Sequence, residues 1–214
     1  MSTATVPLDR LVSWLGGYRD AVIEQRAYLT ELDSAIGDAD HGANMARGMT
    51  AVMDKLGAGV PATADELFKS VGMTLVTSVG GASGPLYGTF FLRMGMSAGA
   101  IAEFDGAALA AALRAGLDGI VARGKAEAGD KTMFDALAPG LGAFDAALAE
   151  GASPAEAAAA AATAAEAGRD ATKPWVARKG RASYLGERSA GHLDPGAASS
   201  ALLLRCLADA LGSS

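Results

Sequence analysis

An all-α fold is predicted by three observations. Apolar residues recur every three or four positions along most of the chain, and the alternating pattern of strands rich in Val, Ile and Thr is nearly absent. Helix start signals also stand between the periodic segments. In the first segment Leu11, Leu15, Tyr18 and Val22 share one helical face with Trp14 beside them, so that face is buried. Thr63 with Glu66 has the spacing of a capping box, and Asp105 stands as an N-cap before GAALAAAL. Ser153, Pro154 and Glu156 combine a cap, a first-turn proline and a reciprocal glutamate. Asp194 before Pro195 opens the last segment, whose buried face is Ala197, Ala201, Leu204, Ala208 and Leu211.

The periodic segments number about eight, near residues 6–29, 42–57, 63–79, 85–99, 106–124, 132–150, 153–170 and 195–212. Short connections make neighbours antiparallel, which predicts an up-and-down bundle, or a barrel if the ring of helices closes. The 214 residues, 50% hydrophobic, fit one globular domain over residues 1–214. The longest apolar run, AEAAAAAATAAEA, is alanine and favours a helix without the greasiness a bilayer span needs. MSTATVPLDR lacks the basic start and apolar stretch of a secretory signal, so a soluble, cytoplasmic protein is expected. The lone Cys206, in ALLLRCLADAL, is read as core. A net charge of -6 and a pI near 4.9 exclude the basic face of a nucleic-acid binder, so any phosphate chemistry must be local.

Three connections, 31–44, 77–88 and 171–196, are rich in glycine and polar residues, and function is sought there. In LDSAIGDADHG, Asp33, Asp38 and Asp40 are hard oxygen donors with no cysteine among them, and Gly37 and Gly42 permit the backbone to fold them toward one point. That donor set suits magnesium shared with phosphate; the competing reading makes the aspartates simple helix caps and turn residues. A calcium-binding EF-hand starting at Asp38 fails, because its twelfth position is Met49 rather than glutamate.

SVGGASGPLYG, residues 78–88, exposes backbone N–H groups at Gly80, Gly81 and Gly84 and adds the Ser83 hydroxyl before a helix. It can cradle a phosphate, and it also has the composition of a plain turn between helices. GIVARGKA, residues 119–126, imitates a P-loop but has Ala126 where Ser or Thr belongs and follows no strand, so it is rejected; Gly124 remains as a helix C-cap opening the loop EAGDKTM. In KPWVARKGRASYLGERSAGHLDPGA the cations Lys173, Arg178, Lys179, Arg181 and Arg188 meet only Glu187 before Asp194. Such a patch can close over a nucleotide, or it is a solvated surface loop. Both histidines, His41 and His192, fall in these connections, while Tyr184 and Ser183 have no activating base nearby in sequence.

Together LTELDSAIGDADHGANM, SVGGASGPLYGTFF, RGKAEAGDKTMFDAL and ARKGRASYLGERSAGHLDPGA resemble the successive signatures of the nucleotide-binding domains of the dihydroxyacetone kinases, nearly end to end. The resemblance implies a barrel of eight antiparallel helices holding ADP or ATP and two magnesium ions at one end. It implies that Asp33, Asp38 and Asp40 ligate magnesium, that His41, Gly42 and Asn44 approach the nucleotide, and that Ala82 and Ser83 meet its phosphates. Gly124, Met133, Arg181, Asp194 and Pro195 would line the rest of the pocket, with Arg181 stabilising transferred charge as the catalytic candidate.

The length of the chain resembles that of the separate subunit of the phosphotransferase-system-linked enzyme. There, ADP is rephosphorylated by a phosphohistidine donor subunit and serves dihydroxyacetone held on a partner kinase subunit. Three alternatives stay open. One is a subunit of an ATP-dependent kinase for a related ketose or tetrose with exchangeable nucleotide. The second is a binding module that reports phosphorylation state to a transcriptional regulator. The third, from the fatty-acid kinases that carry a similar domain, is an acyl-phosphate role.

Overall fold

The computed structural model describes residues 5–213; residues 1–4, which belong to the segment searched for a leader, and residue 214 lie outside the described residues. Among the described residues the chain is all-α apart from one antiparallel pair of two-residue strands, β1 (Val6–Pro7) and β2 (Glu103–Phe104). The helices are α1 (Leu8–Glu24), α2 (Arg26–Ile36), α3 (His41–Gly57), α4 (Ala64–Ser78) and α5 (Ser83–Ala98). They continue with α6 (Gly106–Gly124), α7 (Phe134–Ala149), α8 (Pro154–Ala171) and α9 (Pro195–Gly212), with a 3₁₀ segment at Arg181–Ser189. From α3 onward each helix packs on the next, α1 packs on both α3 and α9, and the contacts therefore run round a closed ring. Helix α2 lies outside that ring, against α3, α9 and the 3₁₀ segment.

Aromatic rings fill the core. Trp14 meets Phe68 edge-on at 6.5 Å and Phe91 at 5.8 Å between centroids, while its indole N–H donates to the Leu203 carbonyl at 2.8 Å. The alanine run forms α8, whose buried Ala157, Ala158, Ala161, Ala162 and Ala165 let α7 and α9 approach closely. Ser153 and Glu156 form the capping box read in the sequence, and Asp105 and Asp194 accept from the N–H groups of Ala108 and Ala197.

Three expectations need correction. The first predicted helix, 6–29, breaks at Gln25, and a second helix runs on to Ile36 through what was read as a connection. No glycine or proline marks that break. Its cause is tertiary, because α2 must turn to lie on α3, where a Cβ on Gly42 would fall 2.2 Å from the Arg26 carbonyl oxygen. The helix expected from residue 132 starts at Phe134, because Thr132 and Met133 belong to the preceding turn. Thr63 occupies the N-cap of α4 in extended backbone, but its side chain accepts no hydrogen bond from the helix.

Close helix contact also decides glycine usage between α4 and α5. A Cβ on Gly72 would lie 2.7 Å from the Gly88 carbonyl oxygen, and one on Gly88 would lie 2.9 Å from that of Gly72. Gly17, by contrast, has nothing within 4 Å of its missing Cβ. Gly72→Ala is therefore expected to lower the unfolding free energy by about 1–3 kcal/mol through overpacking, despite the better helix former. Gly17→Ala should leave it unchanged or raise it by up to about 1 kcal/mol. Urea denaturation of the two variants checks this, and equal effects would remove the close-contact explanation.

Candidate functional site at one end of the helical ring

The turn after α2 is built by the Asp33 carboxylate. Asp33 is 7% exposed, and its Oδ2 accepts from the N–H groups of Asp40 at 2.9 Å and His41 at 3.0 Å. A carboxylate from one helix thus caps the first turn of the next, where the helix dipole favours negative charge. Between them Ala39 takes a left-handed backbone (φ 62), which lets Asp38 and Asp40 turn the same way. Asp33, Asp38 and Asp40 each offer an oxygen, all within 4.8 Å of one another. The Asp33 Oδ1 lies where Gly37 has no side chain, since a Cβ there would be 2.0 Å away.

Those carboxylates stand at one side of a cavity of about 320 Å³. The first residues of three helices line it: His41 of α3, Ser83 of α5, and Pro195 and Gly196 of α9. Three N-termini facing one space make a field that attracts anions even in an acidic protein. Gly80, Gly81 and Ala82 contribute the turn before α5, with Gly81 at φ 64, and Lys179, Gly180 and Arg181 contribute the opposite rim. Leu86, Ile120, Ala126 and Met133 give an apolar wall suited to a flat ring. The Arg181 guanidinium reaches across to Asp38, Nε to Oδ2 at 3.0 Å.

His41 is held at both ring nitrogens, Nδ1 with the Ser83 hydroxyl at 3.1 Å and Nε2 with the Ser199 hydroxyl at 2.9 Å. Burial lowers its pKa against the opposing pull of Asp33 and Asp40, so the ring is neutral near pH 7. Tyr87 extends the network, with its hydroxyl 2.7 Å from the Ser199 Oγ and 2.9 Å from the Ser200 Oγ. With both nitrogens engaged by protein, His41 is not a metal donor, which leaves an all-oxygen set. Three converging carboxylates opposed by a single exposed guanidinium call for a cation, and hard oxygen donors with open positions fit magnesium.

A model of the DAK2 domain matches residues 35–209. The chain belongs to the DAK2 domain family. It is 46% identical to the ADP-binding subunit DhaL of the PEP-dependent dihydroxyacetone kinase of Escherichia coli, over 93% of this chain and 95% of that one. It is 44% identical to the ADP-binding subunit DhaL of PEP-dependent dihydroxyacetone kinase 1 of Listeria innocua, over 95% of this chain and 96% of that one. The crystal structure of the dihydroxyacetone kinase of C. freundii in complex with AMP-PNP and Mg2+ superposes with a TM-score of 0.69 at 29% identity. That match covers 93% of this chain and 33% of the C. freundii chain, so this chain spans about a third of that kinase's length.

In this DAK2 domain Asp33, Asp38, Asp40, His41, Ala82, Ser83, Gly124, Met133, Arg181, Asp194 and Pro195 all line the one cavity. Gly42 and Asn44 stand behind its wall: Gly42 packs against α2, and the Asn44 Oδ1 accepts from Arg47 and sits under Gly80. The false P-loop is the last turn of α6, and Lys125, not Gly124 as expected from the sequence, is its C-cap, in a left-handed backbone (φ 51). Cys206 is buried, with its thiol pushed up to about 12 by burial, and so is inert.

Lys131 and Thr132 also line the cavity and escaped the sequence reading. A signal for them existed in T-x-x-D, Thr132 with Asp135, whose Oδ2 accepts from the Thr132 N–H at 2.8 Å and Oδ1 from the Gly129 N–H at 2.7 Å.

Asp194 carries a pH signature. Burial raises its carboxyl to about 7; the Ala197 N–H and Lys131 oppose that rise, while Asp135 and Asp33 add to it. Below about pH 4 both folded and unfolded states are protonated, and between about 4 and 7 the unfolded chain loses its proton first. Stability from this group therefore falls as pH rises through that window and is level above it. Asp194→Asn keeps a capping oxygen, and its melting temperature should gain on the wild type from about pH 4 to 7, then hold a constant lead. A pH-independent difference would mean that Asp194 is ionised throughout.

Proposed function

We propose that this chain is the nucleotide-holding subunit of a PEP-dependent dihydroxyacetone kinase, a single domain that binds ADP with two magnesium ions. In this reading a phosphohistidine subunit of the phosphotransferase system charges it, and it serves dihydroxyacetone held on a separate kinase subunit. The observation that carries this reading is the convergence of Asp33, Asp38 and Asp40 on a cavity entered by three helix N-termini and rimmed by Lys179 and Arg181. The near-full-length likeness to the E. coli and Listeria subunits supports the same assignment over the ATP-dependent alternative.

Magnesium and nucleotide, when bound, would supply charge neutralisation and the phosphoryl carrier. The residues do the rest by position. The Asp33 Oδ1, Asp38 and Asp40 would hold the metal while Asp33 Oδ2 keeps the turn in shape. The N–H groups of the glycine turn at Gly80–Gly81 would donate to phosphate oxygens, beside the Ser83 hydroxyl held 3.1 Å from the His41 Nδ1. Arg181, pairing with Asp38 at present, would turn to the transferred charge, an exchange of partners that costs little for an exposed ion pair. The only imidazole lining the cavity among the described residues is held at both nitrogens, so the general base and the anchor for a sugar would come from the partner.

Titration of ADP with magnesium into wild type and Asp38→Asn tests the assignment. The variant should bind roughly a hundredfold more weakly or worse, by analogy with disrupted metal sites; unchanged affinity would defeat it. Nucleotide retained by the purified wild type through dialysis is the result expected of a standing cofactor. An empty site that turns over free ATP with a substrate-binding subunit would favour the ATP-dependent kinase instead.

A further inference from the structure

Lys131 is the largest charged side chain that the chain buries among its described residues, 1% exposed, and it forms none of the described salt bridges. Its ammonium instead donates to backbone carbonyls of the basic loop, to Ser189 at 2.6 Å and Trp175 at 2.9 Å, with a longer contact to Lys173 at 3.5 Å. An ammonium has three donors, and these carbonyls use them. They lie at the two ends of one arch: the chain leaves past Trp175, carries Lys179 and Arg181 over the cavity, and returns at Ser189. The Gly191 N–H closes the same neck onto the Lys173 carbonyl at 2.7 Å.

Lys131 stands on rigid ground. Asp135 takes the N–H groups of Gly129 and Thr132, the Asp130 Oδ2 takes that of Glu127 at 2.9 Å, and the Asp130 carbonyl accepts from the Arg178 N–H at 3.0 Å. Lys131 itself adopts a left-handed backbone (φ 64), uncommon for a residue with a side chain. Inside the arch, Ala177 and Ala182 pack on Ile36, three residues beyond Asp33. The arch is thus tied at its neck by one cation and at its middle to the helix that carries the metal-site aspartate.

We infer that Lys131 is a positioning residue: by clamping the neck of the 173–191 loop it sets where Arg181 stands over Asp38 and the cavity. Its role toward ligand rests on the nucleotide reading above, whereas the clamp itself does not. The loop is then preorganised before anything binds, and Arg181 acts from a held backbone rather than from a free strand. A solvated basic loop would need no buried cation at its neck.

The test compares wild type, Lys131→Met, Arg181→Ala and the double variant in two measurements. Amide hydrogen exchange without ligand should show residues 173–191 exchanging about tenfold faster or more in Lys131→Met, with the core of α4, α5 and α9 unchanged. Titration with magnesium and ADP should show about a tenfold loss from Lys131→Met in the Arg181 background and under about twofold in the Arg181→Ala background, the coupling of groups that act as a unit. Lys131→Arg, which keeps charge and donors, should recover most of both readouts. Unchanged loop exchange, or an equal affinity loss in both backgrounds, overturns the inference.

If Lys131→Met does not unfold cooperatively, Lys131→Gln takes its place in the same comparison and is judged by the same outcomes. A wild type that takes up no nucleotide would defeat the functional reading, and the exchange rates would still decide whether Lys131 clamps the loop.

Discussion

The Asp33 carboxylate holds the turn between α2 and α3, and the geometry of the site depends on it. Oδ2 caps the N-terminus of α3 through the N–H groups of Asp40 and His41. Across the turn that those bonds close, Asp38 and Asp40 each bring an oxygen within 4.8 Å of one from Asp33. A side-chain cap of this kind contributes about 1 kcal/mol, yet its larger effect is geometric. It is only possible because α2 leaves α1 at Gln25 and lies on α3, and because Gly37 and Gly42 carry no side chain where Asp33 and the α2 backbone stand. The reading of the aspartates as caps therefore holds for Asp33, whose Oδ2 caps α3; Asp40, although at the N-cap position, makes no capping bond of its own.

Around that turn the electrostatics are local. The net charge of -6 gives no general attraction for phosphate. The starts of α3, α5 and α9 nevertheless meet at one cavity, and their helix dipoles with Lys179 and Arg181 make a positive patch beside a carboxylate trio. Such a division suits a ligand that is itself an anion carrying a cation. The neutral His41, locked between Ser83 and Ser199, ties α3 to α5 and α9 without adding another charge. The buried hydroxyls of Tyr87, Ser199 and Ser200 continue that order from α5 to α9, so the floor of the cavity is part of the helix packing.

Much of this was legible because the deciding signals are short-range. Ser153 with Glu156, Asp105 and Asp194 cap helices in the structure as their spacing predicts. The buried face from Leu11 to Val22 follows from helical period alone. Thr63 shows the limit, since its spacing matched a capping box whose side-chain bond does not form. Lys131 shows it again: nothing about a lysine in a polar loop announces burial, because its partners are carbonyls more than forty residues away, at Trp175 and Ser189.

The sequence by itself determined that the chain is helical, where most helices start, and which residue types gather in three glycine-rich connections, since these depend on period, capping and backbone freedom within a few residues. Only the tertiary structure decided that α2 breaks away at Gln25, that Gly42 and Asn44 stand behind the cavity wall while Lys131 and Thr132 line it, and that one ammonium ties the neck of the basic loop. Those outcomes turn on which distant backbone lies against which side chain. Periodicity shows that a face is buried, and packing alone selects what buries it.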